Sequence, residues 1–262
     1  MIEHVSQPIL EVHDLTVSYQ NKPVLWNIDF TIPKGALVGI MGPNGAGKST
    51  LIKSIMGLLP NKSGYIKIAD MPFDDIRHKV SYVPQRESVD WNFPASVFDV
   101  VMMGRYGKLG LFKRPRKADK EAVMECLTDL GIASLKDRQI SALSGGQQQR
   151  VFLARALAQN ADIYFMDEPF AGIDASTEAA VMKLLKQMQE DGKTVIVVHH
   201  DLQTAPAYFS WIILLNQRLV ASAPLEKAYT TKLLQEAYGG QLTLLNEVSQ
   251  LVENKGYPIR ND

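Results

Sequence analysis

The stretch from Gly39 to Gly57, GIMGPNGAGKSTLIKSIMG, constrains the fold most, because it places several glycines and a lysine between two apolar segments. Residues 36–41, which lead into it, are short and apolar, as in a buried strand. The residues after Lys48 have the apolar spacing of a helix, with Leu51, Ile52, Ile55 and Leu58 on one face. Glycine weakens both helices and strands, so this many glycines in one turn need a reason. The pattern predicts a strand-to-helix turn, where the first turn of the helix exposes unpaired N–H groups.

The same turn fits the pattern Gly-x-x-x-x-Gly-Lys-Ser/Thr of a phosphate-binding loop. Its residues are Gly42, Pro43, Asn44, Gly45, Ala46, Gly47, Lys48 and Ser49, followed by Thr50. In such a loop the backbone N–H groups surround the β-phosphate, Lys48 contacts the β and γ oxygens, and the Ser49 hydroxyl binds Mg²⁺. The helix dipole also favours an anion at this point. The sequence therefore predicts a site for a nucleoside triphosphate with Mg²⁺.

Composition argues against several other classes of protein. The 262 residues carry 28 Lys and Arg against 28 Asp and Glu, and this neutrality argues against nucleic-acid binding driven by counterion release. Cys126 is the only cysteine, and we interpret it as an inert residue in a reducing compartment. The first residues lack the features of a signal peptide, and no apolar run is long enough to span a bilayer. A role at a membrane would therefore require another subunit that anchors the chain.

Apolar periodicity predicts an α/β fold. Residues 9–18 and 24–33 alternate between apolar and polar side chains, which indicates two antiparallel strands. Residues 161–169 and 193–201 contain apolar runs without alternation, and a helical pattern separates them. Strands that alternate with helices in this way form a parallel sheet covered on both faces. We therefore predict a phosphate-loop core of mainly parallel sheet with an N-terminal antiparallel β subdomain.

The chain also shows two changes of pattern along its length. Residues from about 96 to 159 are mainly helical in an otherwise strand-rich chain, so we interpret them as an inserted helical subdomain. Residues 247–262 are polar and are predicted to form a loosely held tail. On this division, residues 1–246 form one nucleotide-binding domain.

Two acidic residues follow a predicted buried strand. Asp167 and Glu168 come directly after the apolar residues 163–166. A carboxylate at the carboxyl end of a parallel strand points into the crevice where α/β proteins bind ligands. We therefore predict that Asp167 holds Mg²⁺ through water, and that Glu168 acts as general base on the attacking water. The alternative is an ordinary solvated strand end.

A second helix start carries two consecutive glycines. Ser144 and Gln147 have the spacing of a capping box, and Gly145 and Gly146 between them permit the close approach of a ligand. A plain helix cap would explain that spacing alone, but the run 143–147, Leu-Ser-Gly-Gly-Gln, is far more specific. With this run between the phosphate loop and the Asp-Glu-Pro strand end, the chain resembles the ATP-binding cassette of ABC transporters over about residues 9–240.

The resemblance implies functions for individual residues outside the phosphate loop. Tyr19 lies where the family stacks an aromatic ring on adenine; the alternative is an exposed aromatic residue at a strand end. Gln85 matches the glutamine that contacts Mg²⁺ and the attacking water and responds to the membrane partner. The signature run includes Ser144, Gly145, Gly146 and Gln147, and it covers the γ-phosphate bound to the opposite subunit.

Two further segments match the family. Residues 171–174, Ala-Gly-Ile-Asp, match the loop that joins the two sites across the dimer, although the commonest form is Ser-Ala-Leu-Asp. His200, directly before Asp201, matches the histidine that contacts the γ-phosphate, and His199 is the second choice. A metal site formed by His199, His200 and Asp201 is the alternative, but adjacent residues of a strand point to opposite faces.

The resemblance also implies a mechanism and a set of partners. The cofactors are ATP and Mg²⁺, and two copies of the chain form a homodimer that ATP closes and hydrolysis by Glu168 opens. The helical subdomain 96–159 would push an integral membrane permease subunit, so the chain would lie peripherally on the cytoplasmic face of the cell membrane. The neutral net charge leads us to expect no nucleic-acid partner.

Residues 83–123 resemble a narrower group, the cassettes of manganese, zinc and iron importers, chiefly in VDWNFP followed by DVVMMGRYG. This implies an importer of divalent metal ions, manganese first, with an extracytoplasmic metal-binding protein as an indirect partner. Importers of chelated iron, siderophores or vitamins share V-x-x-G-R but usually lack the run around Trp91, and they remain the alternative.

Some residues and functions stay open at this point. The aromatic residues Trp91, Phe93 and Phe98 belong either to the core of the helical subdomain or to a docking groove for a permease helix. The basic run 113–117 is either a solvated loop or a contact with anionic lipid. A soluble ABC protein that acts on the ribosome or on nucleic acid usually has two cassettes or a long coiled coil, and this sequence shows one cassette without heptads. A phosphate-loop kinase or GTPase would leave the run 143–147 unexplained.

Overall fold

The computed structural model describes residues 1–19, 22–109 and 113–239. Its strands are β1 (Pro8–Tyr19), β2 (Lys22–Pro33), β3 (Leu37–Met41), β4 (Ser63–Ile68), β5 (Val80–Val83), β6 (Ile163–Asp167), β7 (Thr194–Val198), β8 (Trp211–Asn216) and β9 (Arg218–Pro224). Its helices are α1 (Lys48–Ile55), α2 (Phe73–Ile76), α3 (Val97–Met103), α4 (Tyr106–Leu109), α5 (Lys117–Asp129), α6 (Gly145–Gln159), α7 (Ala175–Glu190), α8 (Ala205–Tyr208), α9 (Leu225–Ala228) and α10 (Thr231–Tyr238). The predicted tail, residues 247–262, lies outside the described residues.

The described chain divides into two compact units. The first contains Met1–Ile76 together with the described residues from Thr194 onward, and the second contains Arg77–Lys193. The second unit holds the helices of the predicted insertion, 96–159, together with β5, β6 and α7. The domain boundaries proposed from the sequence stay a prediction.

An antiparallel sheet opens the first unit. Strand β1 pairs with β2 on one side and with β4 on the other, and both pairs are antiparallel. Leu10, Val12 and Phe30 lie on the face of this sheet that is fully buried. The alternating pattern of the two N-terminal segments therefore predicted both strands and their direction correctly.

The rest of the first unit is built around β3. This strand lies between β7 and β8 and is parallel to both, while β9 returns antiparallel to β8. Every residue of β3 and β7 is buried, which explains why neither segment alternates in sequence. Because β3 is central, the loop that follows Met41 begins at the carboxyl end of the parallel strands.

The second unit combines two parallel strands with a helical cluster. Strand β5 is parallel to β6, and helices α3 and α5 both pack against α6. Gly104 permits the contact between α3 and α6, because a Cβ atom there would lie 2.2 Å from the carbonyl oxygen of Arg155. Arg105 fastens the cluster, since its guanidinium donates to Asp119 Oδ1 of α5 at 3.0 Å and to the carbonyl of Ala158 at 3.0 Å. These contacts hold α6 and its N-terminal glycines against the rest of the unit.

Among the helices that the structure describes, we find none with both the length and the apolar character needed to cross a bilayer.

Candidate active site

The predicted phosphate loop connects a central strand to a helix. Strand β3 ends at Met41 and α1 begins at Lys48, so residues 42–47 form the connection. Gly42 has φ +154°, and a Cβ atom there would lie 1.9 Å from the carbonyl oxygen of Leu215. The close approach of the β8 backbone therefore requires glycine at the start of the loop.

The other two glycines of the loop have left-handed backbone conformations. Gly47 has φ +96°, and a Cβ atom there would lie 2.5 Å from Leu25 Cδ2 in β2. Gly45 has φ +79° and faces open space, because a Cβ atom there would meet nothing within 4 Å. Asn44 and Gly45 are the exposed residues of the loop, whereas Ala46 is buried. One side of the loop is thus fixed by packing, and the other side is open.

Lys48 folds back over the start of the loop. Its ammonium group donates hydrogen bonds to the carbonyl oxygens of Gly42 at 2.8 Å and Pro43 at 2.9 Å. The residue is 7% exposed. Helix α1 begins after Gly47, which has no side chain to cap it, and the first turn of the helix contains Ser49 and Thr50. The loop therefore combines a held cation with backbone donors, which is the chemistry of a phosphate receptor.

The loop has a brace that the sequence did not reveal. The backbone N–H of Gln217 donates to the carbonyl of Ala46 at 2.9 Å, and the N–H of Trp26 donates to the carbonyl of Gln217 at 2.9 Å. Gln217 lies in the turn between β8 and β9 and has a left-handed φ of +58°. No local signal in the sequence shows that this turn reaches the phosphate loop, because β8 and β3 are neighbours only in the sheet.

The two adjacent histidines have different environments. His199 is 2% exposed and its Nε2 lies 2.8 Å from Thr204 Oγ1, whereas His200 is exposed. Burial, together with the charge of His200, lowers the pKa of His199 to about 4. Of the two histidines, His200 has the accessible side chain, and its contact with the γ-phosphate stays a prediction.

Tyr19 is the last residue of β1 and is 47% exposed. Its ring is thus accessible at a strand end, and both interpretations made from the sequence remain compatible with this position. Within the described residues, no three His, Cys, Asp or Glu side chains form a group that could hold a metal ion, and this includes His199, His200 and Asp201.

In the second unit the structure brings two predicted site residues together. The side-chain amide of Gln85 donates from Nε2 to Glu168 Oε2 at 3.3 Å. Asp167, at the end of β6, is fully buried, and Glu168 is partly exposed. Glu168 has a left-handed φ of +51°, a conformation that costs a non-glycine residue on the order of 1 kcal/mol. Such strain concentrates at functional positions, where the surrounding structure maintains it.

The predicted signature run begins α6 as expected. Ser144 and Gln147 form a complete capping box, in which the Ser144 N–H donates to Gln147 Oε1 at 3.0 Å and the Gln147 N–H donates to Ser144 Oγ at 3.4 Å. A Cβ atom on Gly146 would lie 3.0 Å from the carbonyl oxygen of Gly172. The second glycine of the run therefore allows the helix start to approach the loop 171–174.

The loop 171–174 ends at Asp174, whose carboxylate accepts several hydrogen bonds. Asp174 caps α7 and accepts hydrogen bonds from the Thr177 N–H at 3.0 Å, from the Thr177 hydroxyl at 2.7 Å, and from the Ser176 hydroxyl. These hydrogen bonds hold the pKa of the Asp174 carboxyl well below its usual range. A cavity of about 460 Å³ opens between the signature run and this loop, and its lining includes Arg86, Ser144 and Arg150.

Comparison with known proteins agrees with this architecture. Two solved structures match most of the chain. An inward-facing metal-chelate type ABC transporter has a TM-score of 0.75 and 27% identity, with 88% of each chain covered. The protein cbiO1 from Clostridium perfringens, part of the ABC transporter complex cbiONQ, has a TM-score of 0.73 and 28% identity, with 94% of this chain and 100% of that one covered. The fold is therefore that of an α/β P-loop nucleotide hydrolase, which confirms the predicted fold class.

The sequence comparisons define the family. The family described as "ABC transporter" matches residues 25–171. The chain is 60% identical to the manganese transport system ATP-binding protein MntB of Bacillus subtilis, over 91% of this chain and 95% of that one. It is 55% identical to the zinc transport system ATP-binding protein TroB of Treponema pallidum, over 89% of this chain and 88% of that one. The chain belongs to the ABC transporter family, and it is a nucleotide-binding subunit that hydrolyses ATP.

Proposed function

We propose that this subunit powers the import of a divalent metal ion, and that the ion is manganese. The assignment of manganese as the transported ion rests on the 60% identity to a manganese transport protein over nearly the whole of both chains. Zinc is the second candidate, because a zinc transport protein is 55% identical. Iron is the third ion named by the sequence resemblance. A cassette for chelated iron, siderophores or vitamins is the remaining alternative.

We assign nucleotide binding to residues of the first unit. Lys48 contacts the β and γ oxygens of ATP, and the N–H groups of residues 42–47 and of the first turn of α1 surround the phosphates. The open face at Gly45 and the position of the loop at the N-terminus of α1 support this assignment. The exposed ring of Tyr19 stacks on adenine.

The donor set also fits Mg²⁺. The proposed ligands are the Ser49 hydroxyl, the Gln85 amide oxygen and the Asp167 carboxylate, the last through water. All three are hard oxygen donors, which Mg²⁺ prefers over nitrogen or sulfur. The ion, when bound, would neutralise charge on the phosphate oxygens.

Hydrolysis requires a base near the attacking water. We assign this role to Glu168, whose carboxylate is partly exposed and receives the amide hydrogen bond of Gln85. That hydrogen bond orients the carboxylate, and a carboxylate at this position would accept a proton from the attacking water. His200 contacts the γ-phosphate from its exposed position after β7.

We infer that two copies of the chain act together. Ser144, Gly145, Gly146 and Gln147 of one copy cover the γ-phosphate that the other copy holds on its phosphate loop. This explains why the signature run lies on an accessible helix start next to an open cavity. Binding then favours a closed homodimer, and hydrolysis removes the contacts that hold it closed.

The partners follow from this role. Integral membrane permease subunits receive the motion of the two copies, and an extracytoplasmic metal-binding protein delivers the ion to the permease. The subunit therefore lies peripherally on the cytoplasmic face of the cell membrane, with no nucleic-acid partner.

Uptake of radioactive Mn²⁺, Zn²⁺ and Fe²⁺ tests the proposal in a strain that lacks this chain. We expect loss of Mn²⁺ uptake, recovery with the wild-type chain and no recovery with E168Q. Recovery of Zn²⁺ or Fe²⁺ uptake alone would reassign the ion. Co-fractionation of the chain with ribosomes instead of membranes would reject transport altogether.

A further inference from the structure

The segment after Gln85 folds directly onto helix α6. The Trp91 indole N–H donates to the carbonyl of Arg86 at 3.0 Å, and the Trp91 ring meets Phe152 of α6 edge-on, with centroids 4.9 Å apart. Arg86 Nη2 donates to Gln148 Oε1 at 3.2 Å. Gln148 is buried and in turn donates to the carbonyl of Ile140 at 3.2 Å. Arg86 is therefore held on both its backbone and its side chain against the first turns of α6.

The guanidinium of Arg86 occupies the place where Gly145 has no side chain. A Cβ atom on Gly145 would lie 2.8 Å from Arg86 Cζ and 2.9 Å from Nη2. The two glycines of the signature run therefore have different neighbours. Gly146 faces the backbone of Gly172, whereas Gly145 faces the side chain of Arg86.

This contact extends a chain of interactions that begins at the proposed base. Glu168 accepts a hydrogen bond from Gln85, and Arg86 is the next residue along the backbone. Arg86 then contacts Gly145 and Gln148 in the first turn of α6. One short segment thus links the carboxylate that activates water to the helix start that covers a phosphate on the opposite copy.

We propose that Arg86 is a positioning residue for ATP hydrolysis. Its guanidinium packs against the Cα of Gly145 and thereby sets the position of the signature run relative to Gln85 and Glu168. The inference rests on the proposed roles of those residues. It also gives Gly145 a second reason to be glycine, namely that any side chain there displaces Arg86.

The steric relationship predicts the pattern of a double-mutant cycle. In G145A the new methyl group collides only with the end of a flexible side chain, so the fold survives and the guanidinium moves away. R86A removes the same guanidinium. We therefore expect both variants to lower kcat by roughly tenfold, and the double variant R86A/G145A to be no worse than either one. The affinity for ADP should stay unchanged, because ADP lacks the γ-phosphate that the signature run is proposed to cover.

Matched substitutions provide the controls. G107A changes an exposed glycine of α4 with nothing within 4 Å of the new atom, and R138A removes an exposed arginine. Both should hydrolyse ATP at the wild-type rate. A purely structural role for Arg86 would instead lower ADP affinity and thermal stability together with kcat.

Two outcomes would overturn the inference: R86A that hydrolyses ATP at the wild-type rate, or defects of R86A and G145A that multiply in the double variant. A wild-type chain without any hydrolysis would instead contradict the proposed function. In that case the same cycle is measured by thermal unfolding, where non-additive shifts support the contact between Arg86 and Gly145 and additive shifts reject it.

Discussion

Gln85 and Glu168 form a hydrogen bond because both follow strands that are paired in parallel, and each lies two residues after the last paired residue of its strand. Val83 of β5 is paired with Met166 of β6, and the amide and carboxylate that follow are 3.3 Å apart. The carboxyl ends of parallel strands lie at the same edge of a sheet, so the register alone brings the two side chains together.

The substitution E168Q should abolish turnover without loss of ATP binding. The amide has the shape of the carboxylate but cannot accept a proton from water, so hydrolysis stops after the nucleotide has bound. We expect an ATP-bound dimer to accumulate, which size-exclusion chromatography with ATP would detect beside a phosphate-release assay. E190Q, at the exposed end of α7, is the matched control. Hydrolysis at the normal rate in E168Q would remove Glu168 as the base.

The substitution K48A should weaken ATP binding by roughly 100-fold, because it removes charge-assisted hydrogen bonds to the phosphates. Fluorescence titration with a labelled ATP analogue measures the effect. K53A, in the last turn of the same helix, should bind normally. Unchanged affinity in K48A would be fatal to the assignment of the phosphate loop.

Two glycines of the loop should tolerate alanine to different degrees. In G42A the new Cβ atom would lie 1.9 Å from the Leu215 carbonyl oxygen, so two backbone segments must separate, at a cost of at least about 2 kcal/mol. In G45A the position is open, and only the left-handed backbone opposes the change, by about 1 kcal/mol. Urea unfolding of both variants measures the difference, and equal losses would contradict the close approach of β8.

His199 should make folding stability depend on pH. Burial lowers its pKa to about 4 in the folded chain, against about 6.5 when it is unfolded, so protonation favours unfolding. Stability from this residue is complete above pH 6.5 and declines as the pH falls towards 4, by about 3 kcal/mol at most. Urea unfolding at pH 7.5, 5.5 and 4.5 would show the decline, and H199Q should lose this part of it. An identical pH dependence in H199Q would show that other groups cause the decline.

Several elements could be predicted because their signals are local. Alternation within single strands revealed β1 and β2, and uninterrupted apolar runs revealed β6 and β7, since burial on one or both faces of a sheet leaves a direct trace in the residue types. The capping box of Ser144 and Gln147 closes over three residues, so its spacing alone was enough. The catalytic and ligand-binding roles of the site residues stay predictions.

Other contacts have no trace in sequence. Gln217 braces Ala46 through a backbone hydrogen bond, which any residue could donate except proline. The carbonyl oxygen of Leu215 leaves room only for glycine at position 42. Because this contact involves the backbone, the identity of the Leu215 side chain does not predict it. In the sequence alone, Arg86 is an ordinary polar residue after Gln85. Its position against α6 is known only from the packing of Trp91 on that helix.

The residue order was sufficient to predict the class of fold, the glycine turn before α1 and the capped start of α6, because periodicity, glycine placement and capping act between residues a few positions apart. The folded chain was needed to show which glycine faces which neighbour and which residues contact the loop 42–47 and Glu168. These contacts join segments far apart in the chain, and they depend on strand order, on register and on backbone atoms that every residue shares.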